Sequence, residues 1–504
     1  MRTVAILAIF FIPSEKSPYF LFLSSFAIAA IFWREPEVIV DASRYFTQAK
    51  HLELYGVGFF LREWGRAIAV WTDLPVAPFF YGLIFKVFGE SRLYIQIFTS
   101  LLFSLSVVLT CQIGKKLWDA DTGFYAGLLL LGIPYLYSQV PLMLVDVPAM
   151  FFLLLAIFSF LSALEKGKAW RILLSASAIA LAFYSKYSQW MMLSVLIVLA
   201  LTYRPSLPEL KTSVYLYRVF AILLASAFLI GAVFVYKYDV LSEQINFLLS
   251  YQKPGLRRWG ESFLSTFFFQ IHPLITMAAG YSVYAAFKRK DIRYLGVLWL
   301  VALVFFLQIR RIRYIIMVFP MLTLMASYGL QRIRQKEIIR FLSFSVVMFS
   351  FAVSVFAYLP FLQENSASNL MNAGRYLDSL GITGAEVFTV PSDNSFVNPA
   401  VAVPVLDLFT LKKIRYHYDE DSPSLTEEKA RSPFRFSWEY KNPRYYTVTE
   451  KTNQGSSAVV IISDNLPGEL PEKIKQEISR FEHAVTFDRT DNTYEYQSIA
   501  TVYY

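Results

Sequence analysis

The sequence predicts a polytopic α-helical membrane protein, with about eleven transmembrane helices and a soluble α/β domain at its C-terminal end. Three observations predict it. Hydrophobic residues make up 56% of the 504 and charged residues only 17%, too little charge to keep an ordinary soluble chain dispersed. Apolar stretches of the length that crosses a bilayer, about 20 residues or somewhat fewer, recur through the first 360 positions. After Pro360 the composition turns into that of a soluble chain.

The apolar stretches lie near 18–33, 93–113, 122–138, 148–164, 171–185, 187–202, 216–236, 263–287, 294–309, 314–330 and 340–360. The apolar run 4–12 is short and lacks a small-residue cleavage pattern after it, so 1–17 reads as an inner-face lead-in rather than a cleaved signal. Alternate loops carry basic clusters: Lys115 and Lys116; Lys166, Lys168 and Arg171; Arg204, Lys211 and Arg218; Lys288 to Lys290 with Arg293; and Arg332, Arg334, Lys336 and Arg340. All five fall on one side, which the positive-inside bias makes the cytoplasm. The N-terminus then lies inside and the C-terminal domain outside, at the inner (plasma) membrane of a bacterium or archaeon. The net charge of +9 is accounted for by these loops and implies no nucleic-acid partner. One Cys excludes a disulfide framework, and four scattered His leave little for a metal cluster.

Within this frame the outer-side cations stand out. Lys186 lies between two apolar stretches, in Tyr184-Ser-Lys186-Tyr187, and Arg310, Arg311 and Arg313 crowd the turn ending at Tyr314. Ionisable groups near membrane depth either snorkel to the headgroups or mark a functional site. The functional reading is a socket in which two distant basic turns converge on one phosphate.

The outer loop 34–92 is too long for a simple connector and holds Glu35, Glu37, Asp41, Glu53, Glu63 and Asp73. A helix is expected from about Asp41 to Leu54, with Asp41 or Ser43 as its cap. Asp41, Arg44 and Tyr45 would then share one face. Asp146 is the only charge between Asp121 and Glu165, and it stands just before Pro148 at a helix start. A lone carboxylate at that depth is costly unless paired. Asp119-Ala-Asp121 has the form of a metal-holding pair, but in a short inner turn Asp121 reads as the cap of a helix beginning at Thr122. His272-Pro273 reads as a packed histidine.

Several of these segments resemble motifs of the polyprenyl-phosphate-sugar glycosyltransferases, the group of protein O-mannosyltransferases and the lipid A aminoarabinose transferase. Asp41-Ala-Ser-Arg44-Tyr45 resembles their D-E-x-R-Y. The stretch from Pro75 and Pro78 through Phe85, Gly89, Ser91 and Arg92 resembles P-P-L…K-L-F-G-x-S. Asp146-Val-Pro148 resembles D-x-P, Tyr184-Ser-Lys186-Tyr187 resembles L-T-K-[YG], and Arg313-Tyr314…Pro320 resembles R-Y…P. They stand in family order across residues 38–320. Two departures are plain: Ala42 replaces the second acid of D-E, and Asp73-Leu-Pro75 replaces K-P-P.

The resemblance implies a GT-C fold over residues 1–360, with loop 34–92 carrying part of the site, and a separate outer domain over 361–504. It implies a glycosyltransferase that moves a sugar from a polyprenyl phosphate to an acceptor hydroxyl with inversion. Asp41 would be the general base, with Asp146 as second catalytic acid, orienting the acceptor or shaping the cavity. Arg44, Lys186, Arg311 and Arg313 would hold the donor phosphate; Tyr45, Tyr187 and Tyr314 would line the site. Cations stand where a metal would, so no metal or other cofactor is expected to be obligatory. The partners implied are the lipid-linked donor, a lipid, glycan or protein acceptor, and membrane lipids.

A flippase or transporter for a lipid-linked sugar is the competing reading, but internal repeats and mid-membrane breaks, its usual signs, are not visible. A non-catalytic assembly subunit would not need Asp146. In the C-terminal part, helices are expected at 369–380 and 470–481, strands at 386–390, 458–462 and 499–503, and a polar insertion at 416–456. That domain carries no recognisable catalytic motif, and its expected role is either to cover the outer cavity or receive the acceptor, or a purely structural one.

Overall fold

The computed structural model describes residues 17–252, 261–392, 395–418, 427, 429, 432, 434–446, 457–465, 470–490 and 496–504. The lead-in 1–16 and much of the insertion 416–456 lie outside the described residues. Helices occupy all eleven apolar regions. Among the described residues, six are each long and apolar enough to cross a membrane: Ser17–Arg34, Arg92–Leu117, Asp146–Lys166, Thr212–Tyr236, Ile312–Leu330 and Lys336–Gln363.

The other five expected spans are shorter or interrupted. The 122–138 region is Ala120–Leu130 followed by a separate Pro134–Gln139, and 187–202 splits into Ser188–Met192 and Val195–Thr202. The 263–287 region breaks at His272, whose extended backbone and Nδ1 cap the helix Pro273–Arg289 by accepting from the Leu274 amide at 3.1 Å. Proline at a first helical turn, where an amide would be orphaned anyway, sets the restarts at Pro134 and Pro273. Ala169–Phe183 and Tyr294–Phe306 are continuous but short.

Close helix packing fixes the bundle. A Cβ on Gly123 would sit 2.3 Å from the Cys111 carbonyl oxygen, so Arg92–Leu117 and Ala120–Leu130 touch backbone to backbone only because that position is glycine. The inner-turn capping expectation is corrected in detail. The helix starts at Ala120, not Thr122, and Asp119 is the cap, accepting from the Thr122 amide at 2.7 Å. Asp121 instead faces Lys336 at 3.4 Å.

The two ends of the bundle differ. At one end Lys116 pairs with Glu165, Tyr203 donates to Glu165 at 2.6 Å, Arg218 donates to the Leu164 carbonyl at 2.6 Å, and Trp118 donates to Asp291 at 3.0 Å. These residues come from the loops that carry the basic clusters. Asp146 stands at the other end of the same helix as Glu165. Its 21 residues extend about 30 Å, one hydrocarbon thickness.

Above that far end lies loop 34–92. Its main helix is Ile39–Glu63, longer than expected and kinked at Gly56, where φ is 85°. Neither Asp41 nor Ser43 caps it; the cap position is Val38 without a side-chain bond, and Asp41 sits inside the first turn. Val76–Phe88 packs back on this helix, ending at Gly89 with φ 95°, and Ser91 caps Arg92–Leu117. The Gly89 and Ser91 positions of the resemblance thus serve helix ends.

The C-terminal part is a five-stranded sheet of order β2-β1-β3-β5-β4, built from β1 (Gly384–Val390), β2 (Lys413–Tyr416), β3 (Ser457–Ser463), β4 (Ala484–Phe487) and β5 (Ile499–Tyr503). β1 pairs parallel with β2 and β3, while β5 runs antiparallel to β3 and β4. The edge strands β2 and β4 escape the sequence pattern because each is four residues long. The amphipathic helix expected at 470–481 covers only Glu472–Ile478, and Ala367–Ser379 matches the one expected at 369–380.

This sheet shares one hydrophobic core with the outer loop: Tyr45, Phe46, Ala49 and Phe85 join Val403, Leu406, Val460 and Val502 in a single cluster. Polar contacts reinforce the joint. Lys50 reaches Asp407 at 2.5 Å and Glu90 at 3.1 Å, and Tyr446 donates to Asp407 at 2.5 Å.

Candidate active site

Four separate segments meet at the outer end of the bundle. Asp41 and Arg44, three residues apart on the first turn of Ile39–Glu63, pair at 2.8 Å. Arg313, near the start of Ile312–Leu330, donates from Nη1 to Asp41 and from Nε to Asp146 at 2.9 Å. Lys186 donates to the other Asp146 oxygen at 2.5 Å and lies 5.4 Å from the centre of the Tyr314 ring. Arg311 packs on the same ring at 5.3 Å and approaches the Tyr314 hydroxyl at 3.4 Å. Tyr45 is buried beneath Arg44, 5.6 Å away. Of the residues that the resemblance implied for the site, all except Tyr187 are therefore in one network. Tyr187 is displaced toward its edge, where its hydroxyl donates to Gln244 at 2.5 Å.

Exposure divides the network. The side chains of Asp41, Arg44, Lys186 and Arg313 are 14 to 18% exposed, whereas Asp146 is at 1%. Asp146 is sealed beneath Lys186 and Arg313 and is out of reach of an acceptor, so the geometry makes it the holder of those two cations. Asp41, Arg44, Lys186 and Arg313 are the partly open groups of the network.

Asp73 was visible in the sequence only as one of the acids of loop 34–92 and a departure from a motif, and it stands as a third carboxylate, beside Arg44. Arg44 approaches it at 3.2 Å, Gln48 donates to it at 3.1 Å, and the Tyr45 hydroxyl also bonds to it. It follows Trp71, whose φ of 51° is a left-handed conformation that costs a bulky residue roughly 1–3 kcal/mol. The turn that delivers Asp73 is thus held in place by its surroundings.

Burial and charge push the outer-loop carboxyls apart. Burial alone would raise Asp41, but the Arg313 and Arg44 guanidiniums beside it win and hold it well below the usual carboxylate range. At Asp73 burial dominates over Arg44 and lifts the group to about 6. Arg44 itself is held above its ordinary value: burial opposes its charge, but Asp73 and Asp41 more than compensate.

The C-terminal domain contributes a cover. Phe436 lies 4.8 Å from the Arg44 guanidinium and meets Trp71 edge-on, with ring centres 5.8 Å apart. Among the described residues no group of three or more His, Cys, Asp and Glu side chains is arranged to hold a metal ion. Chemically, a partly open carboxylate beside convergent cations can take a proton on one side and stabilise an anionic leaving group on the other.

Residues 73–230, which include Asp73, Asp146 and Lys186, match the family described as dolichyl-phosphate-mannose-protein mannosyltransferase. Among solved structures, the chain resembles ArnT from Cupriavidus metallidurans. The likeness to ArnT bound to undecaprenyl phosphate has a TM-score of 0.53, and that to its apo state 0.55. Each shows 13% identity and covers 95% of this chain and 97% of that one. The archaeal oligosaccharyltransferase AglB from Archaeoglobus fulgidus, in complex with an inhibitory peptide and a dolichol-phosphate, is a weaker likeness. It has 12% identity, 89% and 69% coverage, and a TM-score of 0.48. No curated protein matches by sequence.

The fold is thus that of ArnT over nearly the whole chain, and the chain is a multi-pass membrane protein.

Proposed function

We propose that the enzyme transfers a sugar from a polyprenyl-phosphate donor to an acceptor hydroxyl at the outer face of the cytoplasmic membrane, with inversion. The observation that carries this reading is the convergence of Arg44, Lys186, Arg311 and Arg313 around Asp41 at one end of the bundle. The basic inner loops at the opposite end support the outward orientation. The undecaprenyl phosphate held by ArnT supports the donor class.

Asp41 accepts the proton of the acceptor hydroxyl as that oxygen attacks the anomeric carbon. The bond from this carbon to the phosphate oxygen breaks, and its electron pair leaves with the phosphate. The phosphodiester thereby becomes a monoester with a second negative charge, and that charge is what the cations stabilise more strongly in the transition state than in the ground state. Asp146 holds Lys186 and Arg313 at the leaving group. A single displacement from the face opposite the phosphate inverts the anomeric centre. Tied to Arg313 and Arg44, Asp41 is a poor base. Donor phosphate competes for both guanidiniums and frees it. Cations at the leaving group take the place a metal would have, so we propose no obligatory metal.

A transporter would hold its polar groups near the midplane; here they stand at a helix end, which favours transfer. The test is a purified preparation in lipid nanodiscs, given radiolabelled polyprenyl-phosphate sugars and cell-envelope acceptors. Wild type transfers label and Asp41→Asn does not. Equal transfer by both would overturn the assignment of the base. Donor-dependent flipping without transfer would overturn the enzyme reading for this substrate.

A further inference from the structure

Beside the site lies a second concavity that the catalytic network does not use. It is a cleft of about 240 Å³ between the turn before Asp73, the helix Tyr238–Phe247 and the C-terminal domain. Trp71 and Phe247 supply aromatic surface, Gln244 forms the wall shared with the active site, and Glu243, Glu439 and Lys441 stand at the rim. Glu243 and Lys441 are exposed, whereas Trp71, Phe247 and Glu439 are half-buried.

The shared wall is specific. Gln244 donates to the Asp73 carbonyl at 3.2 Å and accepts from Tyr187, so the groups that line the cleft also brace the catalytic turn. From Trp71 the contacts run through Phe436 and Arg44 to Asp41. A ligand seated on Trp71 is therefore linked to the base through three side chains, Trp71, Phe436 and Arg44. Glu439 is held by Arg435 at 2.7 Å, and Arg435 lies 5.4 Å from the Phe247 ring. The C-terminal domain thus places its Arg435 guanidinium, paired with Glu439, over a membrane-domain aromatic.

We infer that this cleft is the subsite for a sugar ring of a saccharide acceptor, stacked on Trp71, with its hydroxyls read by Glu243, Glu439 and Lys441. A pyranose has an apolar face of C–H bonds and an equator of hydroxyls that both donate and accept. An aromatic surface with carboxylates and an ammonium at its edge complements both features. The volume suits one ring, so selectivity falls on a sugar removed from the one that presents its hydroxyl to Asp41. The inference rests on the transferase reading for its role, although the cleft binds independently of turnover. It also gives the C-terminal domain a task, since Glu439 and Lys441 belong to it.

The test is saturation-transfer NMR on the full chain in nanodiscs, with methyl glycosides of common hexoses and aminohexoses and, as a counter-probe, short Ser/Thr peptides. At least one glycoside is expected to bind. Trp71→Ala and Glu439→Gln should each weaken it about tenfold or more, the size of a lost stacking or charge-assisted contact, and Trp71→Phe should retain most binding. Glu439→Gln keeps the shape of the side chain and so guards against an unfolded Trp71→Ala. Undecaprenyl phosphate binding, measured in parallel, should be unchanged in Glu439→Gln. Glycosides that bind no protein, or that bind Glu439→Gln and Trp71→Phe/Glu439→Gln as well as wild type, would overturn the subsite, as would peptides that bind in their place. Loss of undecaprenyl phosphate binding in wild type with glycoside binding intact would defeat the donor assignment and leave the cleft standing.

Discussion

Arg313 and Asp146 meet at 2.9 Å although 167 residues separate them, and their pairing locks the start of one membrane helix to the start of another. Because Asp146 is sealed and Lys186 occupies its second oxygen, the carboxylate is shared between two cations of the proposed donor socket. Replacing it with Asn removes the anion and leaves both cations repelling each other. Each would swing toward solvent, being 15 to 17% exposed. Asp146→Asn is therefore expected to raise the donor KM and lower kcat together, with kcat/KM falling at least about 100-fold, the scale of a lost charged contact in a water-poor site. A change in acceptor KM alone would contradict the positioning role.

The cations themselves separate from one another by readout. Lys186→Ala is expected to raise donor KM about tenfold or more, since one charged hydrogen bond is worth about 1.5–3 kcal/mol. Acceptor KM should stay within about twofold. Lys186→Arg should recover only part of the loss, because a planar fork replaces a point charge. Full activity in Lys186→Ala would remove this residue from the socket.

Asp73 gives the site a pH dependence. Its folded value, about 6, lies above the ordinary carboxylate value near 3.9. Such a group favours the folded state when protonated, and that contribution is lost as pH rises through the window from about 4 to 6. The same ionisation adds a negative charge beside Arg44 at 3.2 Å. Donor KM should therefore rise as pH increases through about 6, while a phosphodiester donor keeps its charge throughout. In Asp73→Asn the donor KM should be low and flat across this range. A pH step that survives in the variant would assign it to another group.

The order of binding follows from the pairing of Asp41 with Arg313 and Arg44. While both guanidiniums hold the carboxylate, it is too weak a base to activate an acceptor. Donor is expected to bind first, and polyprenyl phosphate, as the last product released, to inhibit competitively against donor and noncompetitively against acceptor. Initial-rate measurements at fixed second substrate check this. Competition by polyprenyl phosphate against both substrates would indicate random binding and remove the donor's role in freeing the base.

What was legible in the sequence follows from how local each signal is. Asp146 stands out because no other charge shares its stretch, and Asp41, Arg44 and Tyr45 because helical spacing fixes their common face. The membrane helices announce themselves through unbroken apolar runs. Asp73 was hidden because its partners, Arg44 and Gln48, lie on a different helix and because no periodicity surrounds a turn built on Trp71 at φ 51°. Phe436 and Asp407 were hidden for the same reason on a larger scale. Their function exists only once the C-terminal domain is seated on the outer loop, and seating depends on shape matching between segments hundreds of residues apart.

That seating leads to the last prediction. Lys50 is the one cation placed between Asp407 and Glu90, at 2.5 and 3.1 Å, among the described residues. Asp407 is 4% exposed and also receives the Tyr446 hydroxyl. Burial, with Asp407 close by, already lifts Glu90 to about 8 despite Lys50, so Glu90 binds its proton more readily folded than unfolded and weakens the fold as pH rises from about 4 to 8. Removing Lys50 leaves two facing carboxyls in a half-dry joint. Lys50→Ala is expected to cost about 2–4 kcal/mol, less if Glu90 protonates, and to lower the thermal midpoint in detergent. The loss should be larger at pH 8.5 than at pH 6, where Glu90 is neutral. Because the joint also holds Phe436 against Arg44, transfer should fall with it. An unchanged midpoint at both pH values would show that the apolar core alone seats the domain.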